Sequence, residues 1–222
     1  MVNQEQSNRL LTVKGIGRIS TKPDLTIITL ELSTITPEYE KTMEKATNEI
    51  ESIRKALISI GYKQQDLKTT DFNISTEYEF YYDAQGNHKQ RFQGYECKHS
   101  LKLEIDFDMK RLGETLTTIS SCGATPTFNI SFSVKDKNAV SAELLDNAII
   151  NAKEKAAILA KAAGVHLGAI QNINYSWGEL QLYSRAEYRV CEKTFSFDAA
   201  QMDIEPDDIN ASDSVTVIWN IE

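Results

Sequence analysis

The chain has little of what most enzymes and metal proteins are built from. Its 222 residues hold three cysteines and three histidines. Cys97, Cys122 and Cys191 are odd in number and unrelated in spacing, which fits reduced structural thiols rather than a disulfide framework. Cations are in short supply: 24 Lys and Arg against 32 Asp and Glu leave a net charge of −8. That balance argues against a surface for nucleic acid or an anionic membrane. The densest basic cluster, Lys89, Arg91 and Lys98, is thin. No apolar run approaches the roughly 20 residues that span a bilayer, so no membrane insertion is expected. The first residues, Met1 to Arg9, lack the positive flank and apolar core of an export signal. As written, the chain is expected in the cytoplasm.

The same scarcity runs through the motifs. Gly15-Ile16-Gly17 has no third glycine and is followed by a strand pattern, which excludes a dinucleotide loop. There is no Gly-x-Ser-x-Gly elbow, and only three histidines could serve as a base. Cys97 and His99 stand two apart on one strand face, a spacing that can share a metal. The other histidines, His88 and His166, fall in a loop tip and beyond a helix stop, short of the four ligands of a closed zinc site. Glu104, Asp106 and Asp108 read as the solvated face of a two-sided strand. We therefore expect no catalytic residue, no cofactor and no metal, and a protein that is not an enzyme.

What is present is architecture. Leu101, Leu103, Ile105 and Phe107 alternate with Lys102, Glu104 and Asp106, the period of a half-buried strand. Asp108 then caps a helix carrying Met109, Leu112, Leu116 and Ile119 on one face, and Gly123 follows as a stop. Phe128, Ile130, Phe132 and Val134 alternate again. Earlier, a strand over about 9–19 carries Gly15 and Gly17, whose missing side chains predict close approach by another element. A turn at Thr21-Lys22-Pro23-Asp24 leads to a strand with Ile28, Leu30 and Leu32, and the two strands are expected to pair.

Thr36-Pro37-Glu38 opens a helix with Tyr39, Met43, Ala46, Ile50, Ile53, Leu57 and Ile60 along one stripe, ended by Gly61. A later helix, about Asn138 to Ala163, presents Ala148, Ala152, Ala156, Leu159 and Ala163, and Gly164 ends it. A strand follows from Leu167 to Tyr175, and Val215, Val217, Trp219 and Ile221 make a final one. Residues 178–213 form an irregular excursion with a short strand near 188–197. Between 69 and 107 lies a long hairpin with its tip at Asp83-Ala84-Gln85-Gly86-Asn87. It is dense in aromatics: Tyr78, Phe80, Tyr81, Tyr82, Phe92 and Tyr95. These are either cross-strand pairs or an exposed contact surface.

The expected fold is α+β, with antiparallel or mixed sheets and three helices. Two stretches share one design, a helix ending at glycine (Gly61, Gly164), then a leucine (Leu67, Leu167), then a strand with Ile74 or Ile173. They predict two pseudo-repeated halves sharing a core, about 9–93 and 94–222, within a single domain after a disordered tail at 1–8.

In order, these blocks resemble the SIMPL domain family, a domain of unknown function found in bacterial periplasmic and outer-membrane-associated proteins. The resemblance rests on Val13-Lys14-Gly15-Ile16-Gly17 with Pro23-Asp24, on Gly61 with Asp66-Leu67-Lys68-Thr69, and on Tyr78, Gly94-Tyr95 and Cys122-Gly123-Ala124. It continues through Ala152-Lys153-Glu154-Lys155-Ala156, Leu159-Ala160, Gly164 and Leu167-Gly168. The chain departs from the pattern at Thr76, where the family tends to proline, and at Asp207 after Pro206, where it tends to glycine. The resemblance implies an α+β protein that forms homo-oligomers, sometimes large rings. It also implies relatives linked to oxidative-stress tolerance or, in animals, to signalling adaptors. No catalytic residues come with it. The expected function is a homo-oligomeric scaffold, with the six hairpin aromatics as subunit contacts. The alternatives are a binder of a small apolar ligand held between sheet and alanine-rich helix, and, least supported, a hydrolase with its site in 176–213.

Overall fold

The computed structural model describes residues 9–82, 85–176, 180, 182–184, 188–190 and 205–222. The tail expected at 1–8 and most of the excursion, including 191–197 of its short strand, lie outside the described residues. Among the described residues there are three helices and two antiparallel sheets, an α+β fold. The strands are β1 (Leu10–Thr21), β2 (Leu25–Thr36), β3 (Leu67–Tyr82), β4 (His88–Asp106), β5 (Thr127–Ser133), β6 (Leu167–Asn174), β7 (Tyr188–Val190) and β8 (Ile209–Ile221). The helices are α1 (Tyr39–Ser59), α2 (Met109–Ser120) and α3 (Lys137–Ala163).

The chain divides into two compact units that interleave along the sequence. One takes β1, α3, β6 and β8; the other takes Pro23–Ser133 with β7. Each unit has a core of its own, and the division does not run between contiguous halves: residues 93 and 94 sit inside the unbroken strand β4. The expected pairing of β1 with β2 is not formed. β1 pairs instead with β8 along all its length, Leu10 opposite Asn220 through Thr21 opposite Ile209. The turn at Pro23 moves the chain from one sheet to the other: Asp24 N–H donates to Ser133 O at 3.1 Å, and β2 settles between β4 and β5. Local turn chemistry marked the change of direction, but not the partner.

In the first unit the sheet order is β1-β8-β6, and α3 lies against β1. The contact is made by a strict four-residue row, Leu144, Ala148, Ala152, Ala156 and Ala160, all at least 96% buried. Leu159, expected on this face, is exposed, and Ala160 takes its place. Where the row meets Gly15 it is alanine, because β1 comes close there. A Cβ at Gly15 would stand 2.0 Å from the carbonyl oxygen of Ala148, and one at Gly17 1.9 Å from that of Leu144.

β1 is an edge strand, and its outward backbone groups are met by side chains of α3. Asn151 Oδ1 accepts from Ile16 N–H at 3.0 Å, Lys155 Nζ donates to Lys14 O at 3.1 Å, and Asn147 Nδ2 donates to Arg18 O at 3.4 Å. The spacings match, since four helical residues rise about 6 Å and two strand residues about 6.7 Å. Asp136 caps the helix by accepting from Ala139 N–H at 2.8 Å, and Gly164 ends it in the left-handed region. β8 begins at Ile209, earlier than the expected Ser214, because Ile209 and Ala211 continue the inward alternation. Asp213 breaks the apolar pattern at an inward position, where its carboxylate accepts from the Tyr175 hydroxyl at 2.8 Å.

In the second unit the order is β3-β4-β2-β5-β7, with α1 and α2 over one face. Ile28, Leu30, Leu32, Leu101, Leu103, Ile130 and Phe132 from the sheet meet Ile50, Ile53, Leu57, Leu112, Leu116 and Ile119 from the helices. Asp108 caps α2 as expected, accepting from the backbone of Lys110 and Arg111. The α1 stripe differs at its start. Tyr39 is exposed, and the buried position in the first turn is Thr42. Its hydroxyl lies 2.7 Å from Thr36 Oγ1 and donates to Tyr95 O at 3.2 Å, fastening the helix start to the end of β2 and to the β4 residue opposite it.

Candidate functional site

The aromatic hairpin begins as part of a sheet and ends as a ribbon. β3 pairs with β4 from Leu67 opposite Leu103 to Tyr82 opposite His88. On its other side β4 is paired with β2 only as far as Thr36 opposite Tyr95. Residues 88–94 of β4 therefore have β3 as their only strand neighbour among the described residues, and the last third of the hairpin stands beyond the sheet. A register shift at Glu77/Tyr78 marks the junction, leaving Gln93 as the extra residue of a bulge.

Alternation sorts the side chains of the ribbon. Tyr78 lies opposite Phe92, Phe80 opposite Gln90, and Tyr82 opposite His88, all on the α1 side of the sheet. Tyr81 lies opposite Lys89 on the other face, next to Glu79 and Arg91, which form an ion pair. The rings on the α1 side make a continuous line. Tyr39 meets Tyr95 edge-on at 5.6 Å, Tyr95 meets Phe92 at 5.4 Å, and Phe92 meets Tyr78 at 6.0 Å. Tyr82 packs on His88 at 4.1 Å. Tyr78 with Phe92 and Tyr82 with His88 are cross-strand ring pairs, and the rings of the ribbon are also exposed. Phe80 is 71% and Tyr82 66% exposed, while Tyr78, Tyr81 and Phe92 are each above 40%. Tyr95 is the half-buried root of the line.

Tyr39 joins this surface and was read from sequence as the first residue of a buried stripe. The available signal was its place at the first helical position, where a side chain leans past the end of the helix rather than onto the sheet. Chemically, the ribbon offers large rigid apolar area, phenol hydroxyls at its rim and open strand edges.

Cys97 and His99 do share one face of β4, but each is engaged separately. Burial, reinforced by the Glu49 carboxylate, pushes the Cys97 thiol above its ordinary value and keeps it protonated, a poor state for a metal ligand. His99 is held by Thr69 Oγ1 at 2.9 Å from Nε2 and by an edge-on contact with Phe72 at 5.1 Å. Burial first, and the charge of Arg54 second, hold its imidazole below the usual range. Among the described residues no group of three or more His, Cys, Asp or Glu is arranged to hold a metal. Glu104, Asp106 and Asp108 are exposed, with Glu104 paired to Lys102 at 2.8 Å. No helix is long and apolar enough to cross a membrane among the described residues.

Comparison with known proteins agrees with the architecture. A 26 kDa periplasmic immunogenic protein of Brucella melitensis biotype 1 is 25% identical over 164 residues, 74% of this chain. Its counterpart in Brucella abortus strain S19 is 24% identical over the same length. The matched stretch spans 65% of each relative's own length. The family model for SIMPL, described as a protein of unknown function (DUF541), matches residues 11–219, from the start of β1 to the closing strand. The chain belongs to the SIMPL family.

Proposed function

We propose that this protein is a non-enzymatic interaction protein that assembles with copies of itself through the β3–β4 ribbon. The observation that carries the reading is the ribbon itself, two strands projecting past the end of β2 with a line of exposed rings on one face. A second copy is the occupant that best fits it. The ribbon's open edges are self-complementary, its ion pair of Glu79 and Arg91 is internally balanced, and an isologous contact buries the same rings from both partners.

Light scattering on the native protein should give a mass that is a multiple of 25.0 kDa. The double variant Phe80→Lys, Tyr82→Glu removes the two most exposed rings without touching either core, and should remain folded by circular dichroism while falling to the monomer. A native protein that is already monomeric at high concentration overturns the reading.

The apolar-ligand alternative has lost space where it was placed. Along β1 the alanine row of α3 sits in direct contact with strand backbone. The hydrolase alternative rests on 176–213, most of which lies outside the described residues. The names of the two Brucella proteins support the periplasm for this chain in place of the cytoplasm, which cell fractionation tests. A role of the assembled form in stress tolerance rests on the family resemblance alone.

A further inference from the structure

Antiparallel pairing sorts the ribbon into two chemically different faces. Among its described residues, 77–82 and 88–92, the charged ones are Glu77, Glu79, Lys89 and Arg91, and alternation puts all four on the face away from α1. The face on the α1 side holds Tyr78, Phe80, Tyr82, His88, Gln90 and Phe92, and carries no Asp, Glu, Lys or Arg. A ribbon with water on both faces gains nothing from such sorting, since Lys and Glu suit either side. A quarter of the chain is charged, so the separation marks one wet face and one that is covered.

The uncharged face does not end with the hairpin. Tyr39, 49% exposed at the start of α1, meets Tyr95 edge-on and carries the line of rings onto the helix. The charged neighbours of Tyr39, Glu38 and Lys41, neutralise each other at 2.6 Å. The polar groups of this surface have one property in common. Phenol hydroxyls, a neutral imidazole and the Gln90 amide each carry both a donor and an acceptor, whereas an ammonium only donates and a carboxylate only accepts. A copy of the same surface can therefore satisfy all of them. Charge argues likewise: two chains of −8 repel where their general surfaces meet, and a neutral face is where an identical copy approaches at least cost.

Resting on the reading that the ribbon joins copies of this chain, we propose that the joint is made face to face. The uncharged face of one ribbon, extended by Tyr39, packs on the same face of a second copy, and the face of Glu79 and Arg91 stays in water. Tyr39 is thus a partner contact that lies outside the hairpin.

The test follows self-association of the full chain by light scattering over a dilution series. Tyr39→Lys should raise the dissociation constant about tenfold or more. Tyr81→Lys replaces a ring of similar exposure on the charged face and should leave the constant unchanged. Added salt should leave the assembly intact, because no ion pair crosses the joint and screening relieves repulsion. A footprint keeps the proposal testable if Tyr39→Lys does not fold. In Gln90→Cys, alkylation at position 90 should slow several-fold from dilute to concentrated protein, and in Lys89→Cys alkylation at position 89 should keep one rate. An assembly that Tyr81→Lys dissolves, that salt weakens, or that shields position 89 instead of 90 overturns the face assignment and leaves self-assembly standing. So does an assembly indifferent to a folded Tyr39→Lys variant. A protein that is monomeric at every concentration overturns both readings. Binding of that monomer to neutral phosphatidylcholine vesicles would then assign the face to a lipid surface.

Discussion

Glu96 shows how a single side chain can make this fold sensitive to acid. It sits on the polar face of the five-stranded sheet, only 7% exposed, and accepts from Ser33 Oγ at 2.7 Å and from Lys98 Nζ at 2.9 Å. The Ser33 bond is the main reason its carboxyl titrates below the usual carboxylate range, with Lys98 adding and burial opposing. A carboxyl depressed in the folded state contributes stability above its unfolded value, near about 4.3, and loses it as pH falls through the folded value. Ser33→Ala should therefore cost about 1.5 kcal/mol in urea unfolding at pH 7, and the gap to the parent should narrow as the pH falls from the ordinary carboxylate range through the lower folded value. A gap of constant size across that range would show that the charge of Glu96 is not involved. Glu96 was not legible in the sequence. Nothing local marks it for burial, and the bonds from Ser33 and Lys98 on the folded sheet explain why burial is tolerated there.

Among elements, the contact of α3 with β1 is the most demanding. Gly15→Ala adds one carbon where a carbonyl oxygen already stands, so strand and helix must part. The expected loss is about 3 kcal/mol, read as a lower urea midpoint with unchanged slope. An unaltered midpoint would mean that the helix is free to lift off. Sequence reached this contact from both sides, through two glycines on a strand and a run of alanines on a helix. It did not reach the row itself, because fourfold spacing and mixed three-and-four spacing agree at Ala148, Ala152 and Ala156 and part only in the last two turns, where Leu159 and Ala163 are exposed and Ala160 is buried. The hairpin, both long helices and their stops were legible for a related reason: alternation, caps and terminal glycines are local. Strand partners were not. β1 finds β8 at the far end of the chain, and the ribbon exists only because β2 stops at Thr36 while β4 and β3 continue.

At the scale of the whole molecule, interleaving makes the two units unequal. Every residue of the larger core, from Ile28 to Phe132, belongs to one uninterrupted stretch. The smaller core draws on β1, α3 and β8, and thus on both ends of the chain. A fragment spanning residues 23–133 should therefore fold alone, with a cooperative thermal transition and structured aromatic circular dichroism. A fragment that stays molten would show that this core depends on the rest of the chain.

The ladder between α3 and β1 carries a consequence for how this protein tolerates changes in length. Asn147, Asn151 and Lys155 count β1 in steps of two residues, while Gly15 and Gly17 pass through the gaps between the rungs. One residue inserted or deleted between Lys14 and Arg18 would turn a lysine or isoleucine side chain into the helix backbone and point each rung at the wrong backbone group. The strand thus works as a vernier against the helix, with a tolerance below one residue. Loops elsewhere can lengthen or shorten, but these five positions cannot change in number, and two of them admit no side chain.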